Sequence, residues 1–231
     1  MNMPKAKAAL RKRIGARSCV LLAVGMLFAR GVIAQLDFDS PDALADRIGV
    51  GDPARGAGLA TSLRCSSCHG NTGRSSSPEV PRLDGQYADV IVAQLAAFSE
   101  GRRVHASHVD VASGVKSEVL FDVAAHFAGQ RAMKGDGTGP ALQWQSLYTK
   151  GDPARDVLGC QSCHGANGRS SYVGADTVPV VSGQQQGYLR EQLLAFRQGL
   201  RKSGSGNVMG LVAKRLSDEE IDGLAHYMSG L

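Results

Sequence analysis

The feature that most constrains the fold is a five-residue pattern that occurs twice, Cys65-Ser66-Ser67-Cys68-His69 and Cys160-Gln161-Ser162-Cys163-His164. C-x-x-C-H is the attachment signature of c-type haem: the two cysteines form thioethers to the porphyrin, and the histidine after them reaches the iron. Two C-x-x-C pairs can also build a zinc site, but such pairs sit about 15–20 residues apart, whereas these are 95 apart. A thioredoxin-like dithiol needs a βαβ setting that neither copy has. Two haems on one chain are therefore expected, bound through Cys65, Cys68, Cys160 and Cys163, with His69 and His164 as iron ligands.

The surroundings repeat as well. His69 to Ser76 (HGNTGRSS) matches His164 to Ser171 (HGANGRSS), and Pro81 to Gln86 (PRLDGQ) matches Pro179 to Gln184 (PVVSGQ). Tyr87 to Phe98 pairs with Gln186 to Phe196, and each copy closes with a helix-like segment, Ser117 to Phe127 and Ser217 to Tyr227. Self-similarity at a fixed period of about 95–100 residues marks a duplicated unit. The expected organisation is a leader over 1–34, domain 1 over 35–130, a glycine-rich linker with Pro140 over 131–142, and domain 2 over 143–231.

The periodicity is helical throughout. Val90, Gln94, Leu95 and Phe98, like Leu189, Leu193 and Phe196, recur at three- and four-residue intervals. Gly101 and Gly199 stand where those helices should stop. Ser217 and Glu220 read as a capping box for the last helix; Ser117 keeps only the serine cap. The pentapeptide GDPAR occurs at Gly51 to Arg55 and again at Gly151 to Arg155, 14 and nine residues before the haem cysteine. That offset predicts a helix over Pro53 to Leu63 in the first copy. In the second, a helix over Pro140 to Tyr148, with Trp144 in the core, would leave the same five letters in a loop.

Residues 1–34 have a basic start (Lys5, Lys7, Arg11, Lys12, Arg13, Arg17), an apolar run from Cys19 to Phe28 and a small-residue end at Ala34, as a secretory signal does. The run is short of the ~20 residues a bilayer span needs, and Arg30 leaves an uncleaved interfacial anchor as the alternative. The leader also carries the charge. The chain is +5 overall, but the leader holds seven basic and no acidic residues, so the remainder has 19 basic against 21 acidic, net −2. A nucleic-acid partner is thereby excluded as the reading of the basic pI. Cys19 leaves with the leader, and all four remaining cysteines belong to the haem motifs.

These features together, two C-x-x-C-H domains each with Pro-x-x-x-Gly-Gln and a following helix, resemble the dihaem class I cytochromes c of the c-four type over residues 51 to 231. The resemblance implies an all-α fold of two tandem class I cytochrome c domains, each a few helices around one covalently bound haem. It implies that the carbonyls of Pro81 and Pro179 accept the second ring N–H of His69 and His164. It also implies periplasmic electron transfer between partners such as a quinol-oxidising complex upstream and a terminal oxidase, reductase or dehydrogenase.

The sixth iron ligands differ between the copies. Met209, in a polar glycine-flanked loop where the family places its axial methionine, is the expected ligand of haem 2; Met228 reads as core. Domain 1 has no methionine at that position, the aligned residues being Val109 or Val111. His108 is the nearest candidate and His105 the next. An open or water-bound iron is the other alternative, Met133 is remote, and His126 is discounted because its counterpart His226 coexists with Met209. Imidazole favours ferric iron and thioether ferrous iron, so haem 1 is expected to be the low-potential centre and haem 2 the high-potential one. An open haem 1 would favour a second function, an enzyme or dehydrogenase subunit acting on a sulfur compound or peroxide. Nothing nearby resembles an acid–base set, since Asp110 and Glu118 read as solvated. Arg74 and Arg169 are either propionate partners or surface arginines, and Arg102, Arg103, Arg201 and Lys202 suit helix C-termini.

Overall fold

The computed structural model describes residues 51–108, 114–138, 142–170, 178–204 and 206–231, all within one compact unit. The leader at 1–34, Val109 to Val111 and Pro140 lie outside the described residues. Domain 1 consists of α1 (Pro53–Ser62), α2 (Cys65–His69), α3 (Ala88–Ser99) and α4 (Ser117–Ala128). Domain 2 runs α5 (Leu142–Lys150), a hairpin of β1 (Gly151–Asp152) and β2 (Val157–Leu158), then α6 (Gln161–His164), α7 (Gln186–Gln198), α8 (Val208–Ala213) and α9 (Asp218–Gly230). Among the described residues the fold is all-α apart from that hairpin of two-residue strands, with Gly151 opposite Leu158. Among the described residues no helix is long and apolar enough to cross a membrane.

The repeated pentapeptide takes two conformations, as its unequal offset requires. In domain 1, Asp52 accepts from the N–H groups of Ala54 and Arg55 at 2.9 and 3.1 Å, and Pro53 occupies the first helical turn. Both are helix-start devices. In domain 2, α5 arrives immediately upstream and Gly151 breaks it at φ +69°. A side chain there would meet the Val157 carbonyl oxygen at 2.1 Å, so the same letters turn into the hairpin. The arginine nevertheless reaches the closing helix in both copies. Arg55 donates to Asp122 on α4 at 2.8 Å, and Arg155 grips both oxygens of Glu220 on α9.

The closing helices start differently. Ser217 and Glu220 form the expected capping box on α9. On α4 the expected serine cap is not made: Lys116 takes the cap position and Ser117 is already the first helical residue, so its hydroxyl is one position too late to accept from the orphan N–H groups. Helix α1 crosses α4 at Gly56, where a side chain would lie 1.9 Å from the Asp122 carbonyl oxygen. In domain 2 the glycine sits on the other partner: Trp144 of α5 packs over Gly223 of α9, half-buried against the core.

The cores differ in size. Domain 2 buries twelve residues in one cluster, including Tyr148, Leu193, Ile221 and Leu224. Among the described residues the packed cluster of domain 1 has six members, Ala60, Ile91, Val92, Val123, Ala124 and Phe127, with Val90, Ala96, Ala97, Phe98 and Leu120 buried outside it. The segment between them is tied to both: the Met133 N–H donates to the Asp84 carbonyl at 3.1 Å, and those of Gly135 and Gly137 donate to Leu231 and Gly230 at 2.6 and 3.0 Å.

The halves meet through hydrogen bonds that come in matched pairs. The side chain of Gln184 accepts from the Arg82 N–H at 2.7 Å and donates to the Arg82 carbonyl at 2.9 Å. With the halves exchanged, Gln86 accepts from the Val180 N–H at 2.9 Å and donates to the Val180 carbonyl at 3.0 Å. Both glutamines are buried, and among the described residues no buried side-chain polar atom lacks a partner. Arg82 also reaches the Gly183 carbonyl at 3.1 Å, and Arg169 the Gly85 carbonyl at 3.3 Å.

Candidate haem sites

Each attachment motif forms one short helical turn, so cysteines three residues apart lie on one face and the histidine closes the turn. Cys65 and Cys160 are half-buried, Cys68 and Cys163 exposed. Burial raises the thiol pKa of Cys65, and that of Cys160 to about 11. The glycine after each histidine adopts the same conformation, φ 79° and ψ 158°, in both copies. A side chain at Gly165 would lie 2.6 Å from the Arg169 carbonyl oxygen.

The proximal side is identical in design. The ring Nδ1–H of His69 donates to the Pro81 carbonyl at 2.9 Å, and that of His164 to the Pro179 carbonyl at 3.0 Å. A carbonyl can only accept, so the proton sits on Nδ1 and Nε2 is left with its lone pair. Burial, the largest cause, lowers the pKa of both rings. Both are therefore neutral and suited to a metal.

On the far side of domain 1, the ring facing His69 is that of His108, at 6.0 Å between centroids. A first-row metal lies about 2.0–2.1 Å from an imidazole nitrogen, so one ion held between two rings sets their centroids roughly 6 Å apart. The spacing fits a single iron between them. His108 stacks on Phe98 at 4.4 Å and 12°. Its pKa is lowered to about 4, chiefly by burial and then by His69, His105 and Arg103. His105 is exposed; its Nδ1 accepts from the Ser107 N–H at 3.4 Å and lies 3.3 Å from Nδ1 of His108. It touches the candidate ligand from behind.

Met133 is placed elsewhere. It is buried at the interface, its sulfur 3.5 Å from Nε2 of Gln184. His126 bonds the Asn71 carbonyl at 2.9 Å, and His226 bonds Gln186 and Thr138.

In domain 2, Met209 is half-buried against the core cluster that also contacts Cys160. It lies in the first turn of helix α8, not in the loop expected from the flanking glycines. Asn207 starts that helix in a left-handed conformation, φ 45°. Asn207 accepts from the Ser203 N–H at 3.1 Å, and the Ser203 hydroxyl accepts from the Met209 N–H at 2.9 Å. This turn, invisible in the periodicity, fixes where the thioether begins.

One cluster escaped sequence reasoning. Arg103 and Arg201, at matching positions, leave their helix ends and meet between the domains. Arg103 donates to Gln94, Tyr188 and Gln192 at 2.9–3.0 Å; Arg201 donates to Gln192 and Gln94 at 2.7 and 2.8 Å. No carboxylate neutralises either arginine among the described residues. Burial, foremost, brings Arg201 down to about 10. Burial also pushes the Tyr188 hydroxyl up, but the two guanidiniums outweigh it and the net shift is downward. The signal was there in the repeat: Gln94 pairs with Gln192 and Arg103 with Arg201. Of the other two arginines, Arg74 is exposed, and Arg169 lies over Tyr87 while reaching Gly85.

Two all-helical halves, each with a C-x-x-C-H turn and a histidine locked to a proline carbonyl, define a class I cytochrome c fold in tandem. The family described as Cytochrome c matches residues 145–231. Cytochrome c4 of Thiocapsa roseopersicina is 35% identical over 79% of this chain and 94% of its own length. The crystal structure of reduced recombinant cytochrome c4 from Pseudomonas stutzeri has a TM-score of 0.72 at 29% identity, covering 78% of this chain and 99% of the other. A thiosulfate dehydrogenase electron acceptor of Stutzerimonas stutzeri is 29% identical over 77% of this chain and 83% of its own length. The chain belongs to the cytochrome c4 family. Its cofactors are two covalently bound c-type haems, it transfers electrons, and its partners are redox proteins.

Proposed function

We propose that this is a periplasmic carrier of single electrons whose two haems are held by different ligand sets. Cys65, Cys68, His69 and His108 hold haem 1; Cys160, Cys163, His164 and Met209 hold haem 2. Bound haem supplies a reversible one-electron couple at iron, and the protein supplies the ligands, their orientation and the exclusion of water. The observation that carries the reading is the pair of opposed imidazoles, His69 and His108, set against Met209, the one methionine between His164 and the closing helix of domain 2. Imidazole on both sides favours ferric iron and thioether ferrous iron, so an electron accepted by domain 1 passes downhill to domain 2. The leader composition supports export, and donors of the quinol-oxidising type with a terminal oxidase or reductase as acceptor fit such a carrier.

The test is electron paramagnetic resonance with magnetic circular dichroism on the oxidised protein, and on His105→Ala and His108→Ala. Two low-spin centres, with haem 1 turning high-spin only in His108→Ala, are expected. A haem 1 that is already high-spin and binds cyanide or sulfite in the unaltered protein would overturn the reading and favour an enzyme open at haem 1. A second reading rests on the relative described as a thiosulfate dehydrogenase electron acceptor: the chain would take electrons from a dehydrogenase of a small sulfur compound rather than from a quinol-oxidising complex. Reduction by one donor and not the other separates the two.

A further inference from the structure

The glutamine that closes each Pro-x-x-x-Gly-Gln element reaches the main chain of the opposite domain. One peptide group, between Pro81 and Arg82, accepts at its oxygen from His69 Nδ1–H at 2.9 Å and donates from its N–H to Gln184 at 2.7 Å. The peptide between Pro179 and Val180 accepts from His164 at 3.0 Å and donates to Gln86 at 2.9 Å. Each Oε1 is held in place by a further N–H, that of Gln185 on Gln184 at 2.9 Å and that of Tyr87 on Gln86 at 3.1 Å. The donors on Nε2, to the Arg82 and Val180 carbonyls, stop the amide from flipping.

We infer that Gln86 and Gln184 are positioning residues that tune the haem of the opposite domain through these shared peptides. The inference rests on His69 and His164 being the proximal ligands, as proposed above. An amide whose N–H is bonded becomes a better acceptor at its oxygen, because hydrogen-bonded groups in a chain polarise one another by about 10–30% per bond. A stronger bond at Nδ1 makes the imidazole a more basic ligand, which stabilises ferric over ferrous iron. Gln184, in domain 2, therefore lowers the potential of haem 1, and Gln86, in domain 1, lowers that of haem 2. The low dielectric of the buried interface, where both glutamines are nine-tenths or more covered, magnifies the effect.

The experiment is a redox titration of the full-length, haem-loaded protein and of Gln184→Leu, Gln86→Leu and Gln184→Glu, with the two haems told apart by their ligand spectra. In Gln184→Leu the acceptor is lost, and the reduced-to-oxidised ratio of haem 1 at a fixed ambient potential should rise severalfold with haem 2 nearly unmoved. Gln86→Leu should do the reverse, moving haem 2. Gln184→Glu keeps and strengthens the acceptor and should shift haem 1 in the opposite direction, a reversal that interface damage does not produce. In the reduced protein, the His69 Nδ1–H proton should lose downfield shift in Gln184→Leu. Shifts confined to the mutated domain, or equal and of one sign on both haems, would overturn the inference. Ligation is read separately: intact low-spin spectra without a cross-domain shift overturn the tuning alone, whereas a missing low-spin spectrum in the unaltered protein overturns the ligand assignment on which it stands.

Discussion

On the proximal side the two halves match bond for bond: a C-x-x-C-H turn, a left-handed glycine behind it, and a histidine proton given to a proline carbonyl at 2.9 and 3.0 Å. On the distal side they part. Domain 1 presents His108, braced between Phe98 and His105, while domain 2 presents Met209 from a helix whose first turn is pinned by Ser203 and Asn207. The difference extends to the packed clusters, six members against twelve among the described residues. Duplication kept the C-x-x-C-H turn and the carbonyl partner of its histidine, and changed the residues on the far side and the size of the packed cluster.

The largest effect should come from removing attachment. Cys65→Ser with Cys68→Ser should leave domain 1 without haem and cost it most of its helical structure. Its core is small, and a domain of this size is marginal without added apolar mass. The same pair of changes at Cys160 and Cys163 should cost domain 2 less, since its contiguous packed cluster is the larger one. Circular dichroism and limited proteolysis check this; equal losses in the two variants would break the contrast between the cores.

Exchanging the distal ligands comes next. His108→Met should raise the potential of haem 1 by roughly a hundred millivolts, a modest share of the ~0.8 V that axial ligands span, and narrow the gap between the haems. Met209→His should narrow it from the other end. A gap unchanged in both, measured by spectroelectrochemistry, would mean that the distal residues do not set the order.

The smallest effect is in acid. Arg55, through its hydrogen bond, holds the Asp122 carboxyl below its ordinary 3.8, and Arg155 does the same to Glu220 below 4.5. Both folded-state pKa values are depressed, so the stability they lend is fully present above the ordinary values and fades as pH falls through the folded ones. Asp122→Asn should flatten the acid limb of domain 1 unfolding alone, and Glu220→Gln that of domain 2. Acid titrations followed at each haem band would show it, and one shared change in both bands would mean the clamps are not domain-specific.

Much of this was readable beforehand because covalent chemistry and periodicity are local. The two C-x-x-C-H turns, the duplicated helices and the two fates of GDPAR follow from spacing alone. The Ser117 cap failed because a cap depends on a one-residue shift of dihedral angle, which composition does not carry. The choice between His105 and His108 stayed open in the sequence, since both lie on the same short turn; only the stacking on Phe98 selects the ring that faces His69. The interface was hidden for another reason. Gln86, Gln184, Arg103 and Arg201 look like surface polar residues until two copies of the unit are set against each other.

At positions 82 and 180 the glutamine clamps grip main chain, not side chain. Position 82 is arginine and position 180 valine, yet the two clamps have nearly the same lengths. Mutation at the gripped positions is therefore invisible to the grip. The two copies could drift apart in sequence, down to His108 on one distal side and Met209 on the other, without loosening these two main-chain clamps.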